Sequence, residues 1–120
     1  MREIKFRAWH RETKGMHYTP DIQIRALKET LSTHSDSYEK IKTWDLMQFT
    51  GRYDVNGKEI YEGDIIKHRY FSKKGIAEVR WSNEEGYYLA IEPDGSRTML
   101  NANSEIIGNI HENPELISQQ

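Results

Sequence analysis

The chain has 120 residues, no cysteine and only three prolines. Without thiols it can build neither a disulfide framework nor a thiolate zinc site. No apolar run approaches the roughly 18 residues that a membrane helix requires. Residues 1–14 alternate charged and apolar positions, unlike the continuous apolar stretch of a secretory signal. A soluble protein of the cytoplasm is the expectation, with no membrane partner. A strong charge imbalance is also missing: the net charge is −2 and the pI about 6.2, which argues against an obligate nucleic-acid coat. The local distribution is less even. Residues 1–14 and 64–82 each carry five basic and two acidic side chains, whereas residues 103–120 carry three acids and no lysine or arginine.

The signatures of common chemistry are absent as well. There is no GxSxG nucleophile elbow, no GxGxxG and no GKS or GKT phosphate loop. The histidines at 10, 17, 34, 68 and 111 show no HxH, HxxxH or HExxH spacing. His10 and His17 are the pair best placed to share a metal, across a hairpin, but isolated surface histidines are the simpler reading. No enzyme activity, catalytic residue, cofactor or metal is expected.

What is present is alternation. In "EIKFRAW", Ile4, Phe6 and Ala8 are set to point one way and Lys5 and Arg7 the other, the period of a strand with one buried face. "ETKG" supplies a turn at Gly15, and Met16 and Tyr18 resume the pattern, giving an N-terminal hairpin over residues 1–19. Residues 20–43 form a variable segment. Ile24, Leu27 and Leu31 fit one stripe of a short helix capped by Asp21, while Ile22 and Ile24 fit a strand equally. The polar run "STHSDSYEK" then reads as a loop.

From Trp44 the pattern is regular. "WDLMQFT" sets Met47 and Phe49 on one face, and Asn56-Gly57 matches a type I′ hairpin turn. "IAEVRWS" places Ala77, Val79 and Trp81 inward, and "YYLAIE" sends Tyr87, Leu89 and Ile91 to the core. "PDGS" is a turn, and "RTML" and "EIIGNI" supply further strands, with Ile106 and Ile110 sharing a face. Short strands joined by tight turns describe a meander, which buries one face best by curling. The expected fold is a single mainly β domain, with an α+β arrangement left open. It is a small SH3-like antiparallel barrel over residues 44–112, flanked by the hairpin, one short helix and a tail at 113–120.

Four blocks carry a wider likeness: "MREIKFRAW" at the start, "QFTG" at residues 48–51, "NGKEIYEGDII" at 56–66 and "IGNIHENPEL" at 107–116. Together they resemble the YopX family of small bacteriophage and prophage proteins. The resemblance implies a phage accessory protein in a bacterial cytoplasm, and it implies no reaction. His10 and Arg52-Tyr53 depart from the family's usual residues, an acid and Leu-Lys, and both read as surface changes. Residues 19–43 match poorly.

The carboxylates of 54–64 were the candidates for a reactive site. "DVNG" lacks the repeated ligands of a calcium loop, so Asp54 and Asn56 read as turn formers and Glu59 as solvated. Asp64 reads as an acceptor of backbone amides at a turn, not a general base. "KHRYFSKKG" interleaves cations with aromatics, which suits nucleic acid: Lys67, Arg69, Lys73, Lys74 and Arg80 are the candidate phosphate contacts. Core aromatics beside a solvated turn explain the same residues. Leu116 and Ile117 beyond Pro114 either cap the barrel or dock on a protein. The function expected is a non-enzymatic module binding a protein partner or a second copy of itself as a homo-oligomer. Nucleic acid is the alternative, and an enzyme whose site assembles only in three dimensions is third.

Overall fold

Alternation makes the first strand, β1 (Phe6–His10), which pairs antiparallel with β2 (Gly15–Tyr18) on one side. On its other side it pairs with the first half of β3 (Trp44–Tyr53). The computed structural model describes residues 4–18, 44–67, 75–100 and 103–118. Contacts gather the chain into two compact units that divide within β3, between Gln48 and Phe49. The expected helix or strand at residues 20–31 lies outside the described residues.

The first unit departs from its sequence pattern in one respect. Arg7, Ala8 and Trp9 are all buried, while Ile4 is 66% exposed. Successive side chains of a strand point to opposite faces, so burial of all three means that both faces of β1 are covered there and the outward position expected for Arg7 does not exist. The hairpin turn is also shifted by one residue. Lys14, not Gly15, adopts the left-handed backbone at φ 60°, and its N–H donates to His10 O at 2.8 Å. Arg11 in that turn grips Asp45 of β3 with two guanidinium nitrogens, and this pairing raises the Arg11 pKa through the hydrogen bond first and charge second.

In the second unit the remainder of β3 pairs with β4 (Glu59–Tyr61). A five-stranded antiparallel sheet then runs in the order β8-β7-β6-β5-β9, from β5 (Asp64–Lys67), β6 (Ile76–Ser82), β7 (Tyr87–Ile91), β8 (Arg97–Met99) and β9 (Glu105–Asn109). A single turn of helix, α1 (Glu115–Ser118), follows. The mainly β, curled antiparallel fold expected from the sequence is therefore present. Its core joins Ile60, Ile66, Ala77, Val79, Tyr88, Ala90 and Leu100, with Ile106 packed against them. Burying each large apolar side chain contributes roughly 1.5–3 kcal/mol.

Two details correct the sequence reading. Leu89 is buried as expected, but Tyr88 and Ala90 are buried too, within this core cluster, whereas Tyr87 is 39% exposed and Ile91 is half-buried. The run from Tyr87 to Ile91 is apolar at every position, so alternation cannot choose a face, and the middle of β7 is buried on both; its register with β6 sets Val79 opposite Ala90 and Trp81 opposite Tyr88. The Asn56-Gly57 turn is not type I′, because only Gly57 has positive φ (81°). Asp54 N–H donates to Lys58 O and Gly57 N–H to Asp54 O, at 2.8 and 3.0 Å. That is a three-residue loop closed by a left-handed glycine, the next commonest hairpin connection.

Ser104 is fully buried; its carbonyl accepts the Val55 N–H at 2.9 Å, but its hydroxyl has no partner among the described residues. An unpaired hydroxyl stabilises nothing and carries its desolvation cost. Ser104→Ala is therefore expected to leave stability unchanged or raise it by up to about 1 kcal/mol in urea unfolding. A clear loss would show that the hydroxyl is bonded.

A candidate ligand groove

The site is built where β6 turns into β7. Ser82 holds the turn by accepting the Glu85 N–H on Oγ (3.1 Å) and the Gly86 N–H on its carbonyl (2.8 Å). Gly86 takes φ 77°, a left-handed conformation open to glycine at little cost. Trp81 was expected inside. It does share the face of Val79, but it stands at the end of the sheet where cover runs out, and it is 41% exposed. Its indole is nonetheless fixed: Nε1–H donates to Asn83 Oδ1 at 2.8 Å, and the ring meets Tyr88 edge-on with centroids 4.9 Å apart.

A second wall comes from β3. The register of β3 against β4 shifts between Phe49 and Tyr53, and Gly51 sits at φ 86° within that irregularity. Thr50 locks the bulge, donating its hydroxyl to Ile60 O (2.8 Å) and accepting the Arg52 N–H (3.1 Å). Bulges re-aim side chains in this way. Met99 and Leu100, at the end of β8, complete a groove of about 360 Å³. That volume falls within the range of small-ligand and side-chain pockets, which often lie at the mouths of curled sheets. Trp81, Tyr87 and Met99 leave large apolar surfaces exposed around it. Arg52 is the sole charged residue among its lining, which contains no carboxylate.

The described residues among those singled out from sequence lie elsewhere. Lys67 is exposed at the end of β5. Arg80 is exposed on β6 and paired with Glu78 at 3.0 Å, an interaction that raises its pKa through the hydrogen bond and then through charge. Arg69, Lys73 and Lys74 lie outside the described residues. Leu116 and Ile117 are half-buried on α1, which packs beside β6. Pro114 stands just before that helical turn and accepts the Ile117 and Ser118 N–H groups on its carbonyl, consistent with proline's fitness for a helix start.

The acidic candidates serve the backbone. Asp54 is buried and accepts three N–H groups, from Asn56 (2.8 Å) and Lys58 (2.9 Å) on Oδ1 and from Ile106 (3.1 Å) on Oδ2. Burial pushes its pKa up, but the three amides and the Lys58 charge together hold it below the ordinary value. Amide donors aimed at both oxygens suit an anion fixed in a turn, not a cation ligand. Asp64 likewise accepts the Tyr61 N–H on Oδ2 at 2.8 Å. His10 and His17 both meet Trp44 edge-on, at 4.6 and 5.2 Å, and His10 Nδ1 accepts the Thr13 N–H. Among the described residues no group of three or more His, Cys, Asp or Glu side chains converges on a metal position.

The sequence reading missed Arg52 and took Trp81 for core. In the sequence Arg52 stands out only through the Arg52-Tyr53 departure after Gly51, and nothing local reveals that a bulge brings it to the recess of Trp81.

These strands and this groove define a small, mainly antiparallel β protein with an open aromatic recess. The chain belongs to the YopX family: the family model described as YopX protein matches residues 5–118. Protein EF1440 from Enterococcus faecalis, known from its crystal structure, is similar in fold, with a TM-score of 0.64 at 24% identity. The likeness covers 98% of this chain and 99% of that one. Comparison with the curated proteins found no match. No helix among the described residues is long and apolar enough to cross a membrane.

Proposed function

We propose that this chain is a non-enzymatic binding module, a bacteriophage or prophage accessory protein that acts in the bacterial cytoplasm by engaging another protein. The observation that carries this reading is the groove itself. Trp81, Tyr87 and Met99, at 41, 39 and 54% exposure, surround one recess. Aromatic residues and methionine are enriched where proteins meet, and tryptophan and tyrosine contribute most to such contacts. The lining offers no nucleophile beside a base: the Thr50 hydroxyl is spent on Ile60 O. The basic-strand alternative is weakened, because the Arg80 charge is already offset by Glu78.

The test is purification of tagged wild type and Trp81→Ala from the bacterial host in gentle salt. The expected result is a stoichiometric protein that co-elutes with wild type and is lost from the variant, while far-UV circular dichroism stays unchanged. A salt-sensitive shift of DNA or RNA that survives Trp81→Ala would move the function to the basic strand.

A further inference from the structure

The ion pairs among the described residues leave one arginine of the second unit in a distinctive position. Arg80 pairs with Glu78, and Arg97 lies 4.0 and 3.8 Å from Glu84 and Glu85. Arg52 is exposed, has no ion pair among the described residues, and lines the same recess as Trp81, Tyr87 and Met99. The complement of such a recess is an apolar side chain with one negative charge close by. A polyanion fits worse, since Glu84 and Glu85 occupy the turn next to Gly86 at the rim and would repel a phosphate backbone.

We infer that the groove selects an acidic, apolar segment of a partner protein, with an aromatic or aliphatic side chain against Trp81 and Met99 and a carboxylate on Arg52. This rests on the reading of the groove as a protein-docking surface and adds its chemical selectivity. The guanidinium supplies a planar fork that matches a carboxylate. The hydrogen bond from the Arg52 N–H to the Thr50 hydroxyl and the Gly51 bend hold the base of that side chain in place before any ligand arrives, so less freedom is lost on binding.

The test uses fluorescence anisotropy on the full chain with three sets of labelled short peptides. Each carries a central Trp or Leu followed closely by Glu, by Gln or by Lys; labelled oligothymidylate is the fourth probe. The Glu set is expected to bind, and the Gln and Lys sets to bind about tenfold more weakly or worse. Arg52→Glu, exposed and therefore tolerable to the fold, is expected to reverse that order, and Trp81→Ala to abolish binding of every set. Equal binding of the Glu and Gln sets, indifference to Arg52→Glu, preference for oligothymidylate, or no binding by any peptide would each overturn the inference. The co-elution experiment separates the two levels. A host protein lost with Trp81→Ala but kept with Arg52→Glu leaves the docking surface standing and removes its acid selectivity. A host protein kept by both variants removes both.

Discussion

Asp54→Ala is expected to lower the unfolding free energy by about 3 kcal/mol, since a buried charged acceptor and three amide hydrogen bonds are lost at once. Two of those amides, Asn56 and Lys58, belong to the hairpin loop; the third, Ile106, comes from β9, 52 residues away. The carboxylate thus ties a local turn to a distant strand. Asp54→Asn separates the contributions. Its amide oxygen can still accept from the loop, but its NH2 would face the Ile106 N–H, donor against donor. A loss of about 1–3 kcal/mol is expected for it. Acid titration gives the sign. The folded-state pKa of Asp54 is held below the unfolded value, so its contribution is fully present above the unfolded pKa of about 3.9 and is lost as pH falls through the folded value. The gap between wild type and Asp54→Asn in urea unfolding should therefore be constant near neutrality and shrink as the pH drops below about 4. A gap unchanged down to the acid limit would mean that the carboxylate is not ionised in the fold.

Gly108→Ala is the second substitution with a large expected cost, about 1–3 kcal/mol, through overpacking. Gly108 is needed for space: a Cβ there would lie 2.5 Å from Asn113 Oδ1, 2.8 Å from its Cγ and 3.0 Å from its Cβ. The obstacle cannot simply swing aside, because Asn113 is held at both ends. Its Oδ1 accepts the Asn109 N–H at 3.2 Å, its N–H donates to Asn109 O at 2.8 Å, and its carbonyl accepts the Leu116 N–H. Asn109 extends the lock, donating from Nδ2 to Glu112 and accepting the His111 and Glu112 N–H groups on Oδ1. The pair should be coupled. In a double-mutant cycle, Gly108→Ala with Asn113→Ala is expected to cost less than the sum of the single changes by about 1 kcal/mol, since removing the amide vacates most of the space. Simple additivity would show that the strand shifts instead.

Much of this fold is legible from sequence because its causes are local. Met47 and Phe49 are buried and Leu46 is exposed, as their alternation requires. Asp54 and Asp64 serve backbone amides, as turn chemistry suggests for carboxylates beside glycine. The tail was harder. From sequence Leu116 and Ile117 could cap or dock and show no helix; in the fold Asn113 accepts the Leu116 N–H on its carbonyl and a helical turn brings both beside β6. Arg7 was misread because alternation assumes one covered face, and β1 is covered on both. Trp81 was misread because period two gives a direction, not the length of sheet that lies above it.

The candidate groove was illegible for a related reason. Its lining comes from residues 50–52, 81, 86–88 and 99–100, and no spacing in the chain relates these four places. Sequence alone determined the strand segments, most of their bends and the turn-holding role of the acids, because each depends on neighbours within a few residues. Only the tertiary structure decided that β7 is buried on both faces at its middle, where Trp81 emerges and that Arg52 joins it, since burial and pairing register are set by strands remote along the chain.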